Sequence, residues 1–274
     1  MSIDTCTETL QLSLEEDILH ISLNRPHVRN AMNLCMVEEL RQQLQLAVEK
    51  NRRIVVLRGI GGHFCAGGDV QDMVYARQQS LEEHSGQAFV RLNRAFGRLL
   101  QETEQLPCVV VVVLEGAVLG GGFGLACVSD LALAHTNAQF RLPETGLGLL
   151  PAQIAPFVVR RVGLGAARRL ALTGCSLTAA EAQALGLVHE CATDKDTLDA
   201  LLHTRLEQIL RCAPQANRHT KALLLRSMTD LSWDPLLDQA AEAFAQAVQG
   251  NESMEGTLAF MQKRLPAWAR QTLG

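Results

Sequence analysis

The chain has 274 residues, 47% hydrophobic and 20% charged, which places it among globular rather than disordered chains. Lys+Arg (25) against Asp+Glu (29) gives a net charge of −4, without the overall basic excess of a nucleic-acid binder. The eight cysteines come no closer than sixteen residues, so there is no CxxC or zinc-ribbon spacing, and they read as reduced thiols of a cytoplasmic protein.

Met1–Thr5 shows no basic region followed by an apolar stretch, so no signal peptide is expected. Leu10–Leu14 and Ile18–Leu23 alternate apolar and polar around Glu15-Glu16-Asp17, predicting a hairpin. Asn24-Arg25-Pro26 breaks the second strand, and a helix is expected over about 33–50. Ile54–Leu57 reads as a buried strand, followed by the glycine-rich stretch Gly59–Gly68, with Asp69 at a helix N-cap position. Ser80–Gly86 is polar and aperiodic and reads as a mobile loop. Phe89, Leu92, Phe96 and Leu99 recur at helical spacing, and Pro107 closes that region. Val109–Leu114 is the clearest buried strand; the apolar run from Cys108 is too short to span a bilayer. Gly116–Gly124 forms a second glycine-rich turn, and Leu131–Ala134 and Gln139–Leu142 read as short strands. Thr178-Ala-Ala-Glu181 is a capping box opening a short helix that ends at Gly186. From Asp194 the pattern is helical. Alternating strands and helices predict an α/β layered core over 1–193 and a helical region over 194–274.

Several chemistries are excluded by motif. GxxxxGK[ST], GxSxG and HExxH are all missing from the sequence. Gly120, Gly121, Gly122 and Gly124 do not fit GxGxxG, because Leu125 and Cys127 stand where a third glycine would be needed. What remains is two glycine-rich turns, each after a buried strand and before a helix. Glycine lets backbone N–H groups approach a ligand closely, and two such groups aimed at one point make an oxyanion hole. Tight turns that let helices pack on a sheet explain the same residues equally well at this level.

Longer stretches carry a resemblance. Leu23-Asn-Arg-Pro26 with Asn30-Ala-Met32, Phe64-Cys-Ala-Gly-Gly-Asp69 with Met73, and Gly120-Gly-Gly122 with Asp130 resemble the enoyl-CoA hydratase/isomerase (crotonase) superfamily. So do Gln139-Phe140, Pro143-Glu144, Leu172-Thr-Gly174, Ala182, Gly186-Leu-Val188, and Phe260 with Lys263-Arg264. The resemblance covers nearly the whole chain in order. It implies a spiral of ββα units, C-terminal helices that drive trimers or hexamers, and acyl-CoA thioester substrates. Coenzyme A then arrives as part of the substrate, with no separate cofactor, metal, nucleic acid or membrane involved. By position, Ala66 and Gly121 would supply the oxyanion N–H groups, and Glu144 the catalytic carboxylate. Gly124, Cys65, Gly68, Asp69, Arg25 and Lys263 would line the substrate, with Arg25, Lys263 and Arg264 near the CoA phosphates. Cys65 also suits a small packing role, Asp130 a structural one, and Gln153 either orients water or opens a helix.

Two departures from the family pattern matter. Hydratases of this family commonly carry a second glutamate two residues after the triple glycine, where this chain has Gly124. Leu142-Pro-Glu-Thr-Gly-Leu-Gly-Leu-Leu-Pro-Ala-Gln-Ile-Ala-Pro156 resembles 3-methylglutaconyl-CoA and isohexenylglutaconyl-CoA hydratases of leucine and acyclic-terpene breakdown, whose substrates branch at C3 and carry a second carboxylate. Gly124 would then remove a like charge and free volume beside C3, unless it only eases helix packing. The expected activity is hydration of such an ester. The alternatives are an isomerase using Glu144 as sole base, or a non-catalytic acyl-CoA-binding or scaffold protein.

Overall fold

The computed structural model describes residues 5–230 and 232–269. The leader reading on Met1–Asp4 and the end of the helical reading, 270–274, lie outside them. Two compact units are present, one running through Leu106 and over Val110–Leu201, the other over Pro107–Val109 and from Leu202 on.

The first unit holds a seven-stranded sheet and a three-stranded sheet. β1 (Thr5–Cys6), β2 (Leu10–Glu15) and β3 (Ile18–Leu23) pair antiparallel, and the expected hairpin is β2–β3 in register from Leu10↔Leu23 to Glu15↔Ile18. β3 runs parallel to β4 (Ile54–Gly59), and beyond it come β5 (Val109–Leu114), β7 (Leu131–His135) and β10 (Glu190–Ala192). The small sheet joins β6 (Ala117–Leu119), β8 (Gln139–Arg141) and β9 (Ser176–Thr178). From β5 to β8 successive strands alternate between the sheets, β8 and β9 then pair within the small sheet, and β10 returns to the large one. This is the expected ββα spiral. Phe123 and Phe140, both fully buried, meet edge to face at 6.4 Å in its middle. Each buried aromatic side chain of this kind contributes about 1.5–3 kcal/mol.

Helices fill the turns of the spiral. α1 (Leu34–Glu49) is capped by Asn33, α2 (Val70–Glu82) by Asp69, and α6 (Ala179–Ala184) by the Thr178/Glu181 box. α3 spans Gln87–Glu104, α4 Gly121–Val128 and α5 Ala155–Thr173. Ser80–Gly86 is therefore not all loop: α2 continues through Glu82, and the break comes at His84, at φ 46°, and Gly86. Only Ala76 of α2 is buried, so this helix has no apolar repeat for a sequence pattern to show. The second unit contains the end of α7 (Lys195–Arg211), α8 (Pro214–Arg226), α9 (Trp233–Gln249) and α10 (Asn251–Met261). No helix among the described residues is long and apolar enough to cross a membrane.

Candidate active site

The first glycine-rich turn is fastened to the small sheet by Cys65, whose N–H donates to Ala117 O and whose carbonyl accepts from Leu119 N, both at 2.9 Å. The next N–H, that of Ala66, donates to the Arg29 carbonyl at 2.9 Å. It is consumed, and Ala66 is not the free donor expected from the sequence. Gly67 then takes φ +100°, a conformation open to glycine, and its carbonyl accepts from Met32 N at 2.8 Å. Gly68 follows, exposed, with open space around it and no acceptor for its N–H among the described residues. The available donor of this turn is Gly68.

The second turn packs directly on the first. A Cβ on Gly67 would lie 3.4 Å from Leu119 O and 3.9 Å from the Gly120 Cα. Gly120, at φ +48°, donates to Arg141 O at 3.0 Å and turns the chain into α4. Gly121 is the first residue of that helix, so its N–H has no intrahelical acceptor and sits at the positive end of the helix dipole.

Glu144 reaches the same place from the other side. It follows β8 and Pro143 and opens a short 3-10 helix, Glu144–Leu147. A Cβ on Gly120 would lie 2.9 Å from Glu144 Oε1, so the carboxylate rests against the second turn. Its Oε2 is buried without a hydrogen-bond partner among the described residues. Burial pushes its pKa above the usual 4.5, only partly offset by its own backbone N–H. A carboxylate poised toward neutrality beside preorganised donors is suited to general acid–base work on a carbonyl compound.

The remaining expected residues divide. Arg25 does not reach for a CoA phosphate: Nη1 donates to Asp69 Oδ2 at 2.7 Å and to Ala31 O at 2.6 Å, and the pair is largely buried. Asp69 caps α2; burial opposes its charge, but the Gln71 N–H and Arg25 outweigh it and hold the carboxyl below its usual range. Asn30, fully buried at φ 56°, donates to Ile60 O and His63 O and accepts from Arg25 N. Together these side chains brace the loop that ends at Gly68, a role the sequence motif carried without showing. Cys65 is fully buried, its thiol pushed up to about 12 by burial, and Gly67 N donates to its Sγ at 3.3 Å. It packs beneath the turn, against Gly122. Asp130 is structural, accepting from Val110 N at 2.7 Å. Arg264 is held bidentately by Glu255 at 2.6 and 2.9 Å, whereas Lys263 stands exposed after α10.

Around Gly121 and Gly124 the walls are apolar. A Cβ on Gly121 would collide with Met32 Cε and lie 3.2 Å from Phe96 Cζ. A Cβ on Gly124 would lie 3.1 and 3.3 Å from the Leu100 methyls and 3.5 Å from Ile154 Cγ1. The place of the missing glutamate is therefore not open volume at its root. Leu100 and Ile154, both buried, already close on it, so the helix-packing role of Gly124 is real.

The Enoyl-CoA hydratase/isomerase family profile matches residues 13–271. The mitochondrial enoyl-CoA hydratase domain-containing protein 2 of Bos taurus is 34% identical over 258 residues, 92% of this chain and 84% of that protein. The 2,3-dehydroadipyl-CoA hydratase of Escherichia coli is 31% identical over 260 residues, 94% of this chain and 97% of its own. Among solved structures, Pseudomonas aeruginosa AtuE matches with a TM-score of 0.92 at 57% identity, covering 96% of this chain and 100% of AtuE. An enoyl-CoA hydratase/isomerase from Marinobacter aquaeolei matches with 0.91 at 51%, covering 96% of this chain and 100% of its own.

Proposed function

The chain belongs to the enoyl-CoA hydratase/isomerase family, and from that premise we propose that it hydrates a branched, acidic 2-enoyl-CoA of the 3-methylglutaconyl or isohexenylglutaconyl type. The observation that carries this reading is Glu144: a half-buried carboxylate whose Oε2 is buried without a partner among the described residues, resting against the turn that leads into the Gly121 N–H. The thioester carbonyl oxygen would lie between the Gly68 and Gly121 N–H groups. Glu144 removes a proton from water, the hydroxyl adds to C3, and the charge passes to the thioester oxygen, where the two donors stabilise it. The protonated Glu144 then delivers its proton to C2, completing addition of water across the double bond. Oxyanion donors contribute several kcal/mol because they bind the enolate more strongly than the carbonyl.

Two observations support the acidic, branched substrate. Gly124 leaves no second carboxylate to repel a charged acyl group, and the 31% identical relative is a hydratase of a dicarboxylic enoyl-CoA by its name. The single base favours a second reading, an isomerase that moves one proton between carbons with Glu144 alone. Incubating the pure protein with 3-methylglutaconyl-CoA, crotonyl-CoA and a 3-enoyl-CoA separates the two. A mass gain of one water on the first supports hydration, while an isobaric double-bond shift without water uptake refutes it.

We further propose a homotrimer or a pair of trimers. Trp233, Leu237 and Phe244 on α9 and Phe260 on α10 are 56–85% exposed, whereas Leu236 is already buried. An apolar set of this size is unusual for a monomer's surface. The cysteines from Cys35 to Cys212 are free thiols, in keeping with a reducing compartment, and the cytoplasm is the proposed location.

A further inference from the structure

Two N–H groups that share one oxygen have to keep a fixed spacing, and Gly68 and Gly121 stand on turns far apart along the chain. Met32 touches both turns. Its backbone forms an isolated parallel bridge with Gly68. Met32 N donates to Gly67 O at 2.8 Å, and Met32 O accepts from Asp69 N at 2.9 Å. The carbonyl before Gly68 and the N–H after it are thereby spent on Met32. In a parallel ladder the bridged residue's own N–H points to the opposite edge, so that of Gly68 faces away from Met32. Met32 is itself held in place: Arg25 Nη1 donates to the Ala31 carbonyl at 2.6 Å and to Asp69 at 2.7 Å, and Asn33 caps α1.

The side chain reaches the other turn. Met32 is buried, and its Cε lies against Gly121, where an added Cβ would collide with it. Phe96 closes the same side, with Cζ and Cε2 at 3.2 and 3.3 Å from that Cβ position. The two turns also meet directly, since a Cβ on Gly67 would lie 3.9 Å from the Gly120 Cα. A single contact of that kind is a pivot. A second attachment, through Met32, removes rotation about it, because a close-packed interior resists even small displacements.

Resting on the reading above that Gly68 and Gly121 hold the thioester oxygen, we propose that Met32 is a positioning residue that sets the spacing of these two donors. Its backbone fixes the Gly68 turn and its terminal methyl fixes Gly121. An unbranched thioether is long and slim enough to run from one turn to the other and to fill the gap at its end. A methionine that only filled the core would add to stability and leave the donors unaffected.

The test shortens the side chain. Met32→Leu nearly keeps the buried volume but ends one atom short of Gly121. Its kcat should fall about tenfold with KM little changed, because a misplaced donor is felt most by the developing oxyanion. Met32→Ala should lose about a hundredfold. Infrared spectroscopy supplies a readout without turnover. The saturated counterpart of the ester that the native protein turns over, labelled with carbon-13 at the thioester carbonyl, is bound to each protein. Oxyanion donors polarise that carbonyl and lower its stretching frequency. The native protein should show the downshift and Met32→Leu a smaller one. Gly121→Ala should be damaging alone, and more active in the Met32→Leu background, where its methyl fills the vacated space. Absence of a downshift in the native protein overturns the oxyanion reading and this proposal with it. If the native protein shows it, and folded Met32→Leu keeps the native downshift or the native kcat, only the role of Met32 is overturned. A double variant no more active than Gly121→Ala has the same consequence.

Discussion

Replacing Glu144 by glutamine should make the protein more stable and nearly inactive, and the two effects have one cause. Burial without a partner for Oε2 raises the carboxyl pKa above 4.5, so the folded state disfavours the charged form. The sign follows directly. Below the ordinary 4.5 the carboxyl is protonated in both states and costs nothing in folding. As pH rises through the raised folded pKa, the unfolded chain gains from ionisation what the folded chain does not, and stability falls to a lower plateau. Glutamine keeps the shape and removes the charge. An unsatisfied buried polar group costs about 1–3 kcal/mol, and the amide still leaves one site unpaired, so the net gain is about 1 kcal/mol at pH 8. For a chain of this size that corresponds to roughly 2–4 °C in Tm. The gain should shrink toward zero on going to pH 4. Over the same range, kcat/KM of the native protein should fall with acid as Glu144 protonates, and the variant should be slower by ~10²–10⁴-fold or more. Calorimetry at both pH values and steady-state rates with the ester that the native protein turns over provide the check. A variant that is no more stable at pH 8 than at pH 4, or that turns over within a few-fold of the native protein, would refute the reasoning.

Gly124→Glu should damage turnover of a glutaconyl-type ester more than of crotonyl-CoA, because its charge would meet a second carboxylate. Its Cβ must also push Leu100 aside, at about 1–3 kcal/mol of stability, which Gly124→Ala should largely reproduce without the change in substrate ratio. An unchanged ratio in folded Gly124→Glu would leave packing as the residue's whole role. Asp69→Ala strands the Arg25 guanidinium, only 14% exposed, without its counter-charge, and should cost about 3–5 kcal/mol in urea unfolding at neutral pH. Because the Asp69 pKa is lowered on folding, its contribution is present above 3.8 and fades as pH falls through the folded value, so native and variant should converge in acid. Light scattering at micromolar concentration should give three or six chains per particle; a monomer would contradict the assignment of the α9 and α10 apolar residues.

Periodicity in a sequence reports which face of an element is buried, and wherever burial is strong the elements were legible. The β2–β3 hairpin, β5 and the core face of α1 follow from apolar spacing, and the caps at Asp69 and Thr178 from local hydrogen-bonding chemistry. The second half of α2, the three-residue strands β6, β9 and β10, and α5 leave weaker traces. In α5 only Val158, Ala167 and Leu170 are buried, too few for a clear stripe. Glu144 could be singled out because its distance along the chain from the glycine turn survives as a motif, and the fold does bring its carboxylate against that turn. The donor partner was not, because the Ala66 N–H is spent on the Arg29 carbonyl, an acceptor brought close by folding rather than by sequence. Arg25 looked like a free cation for the same reason: a sequence shows a charge, while its counter-charge at Asp69 appears only once the loops meet. What the sequence by itself determined was the succession of strands and helices and the residue types available for chemistry. Which N–H remained unspent and how the space beside Gly124 was filled were decided by tertiary structure, since both depend on contacts between segments distant along the chain.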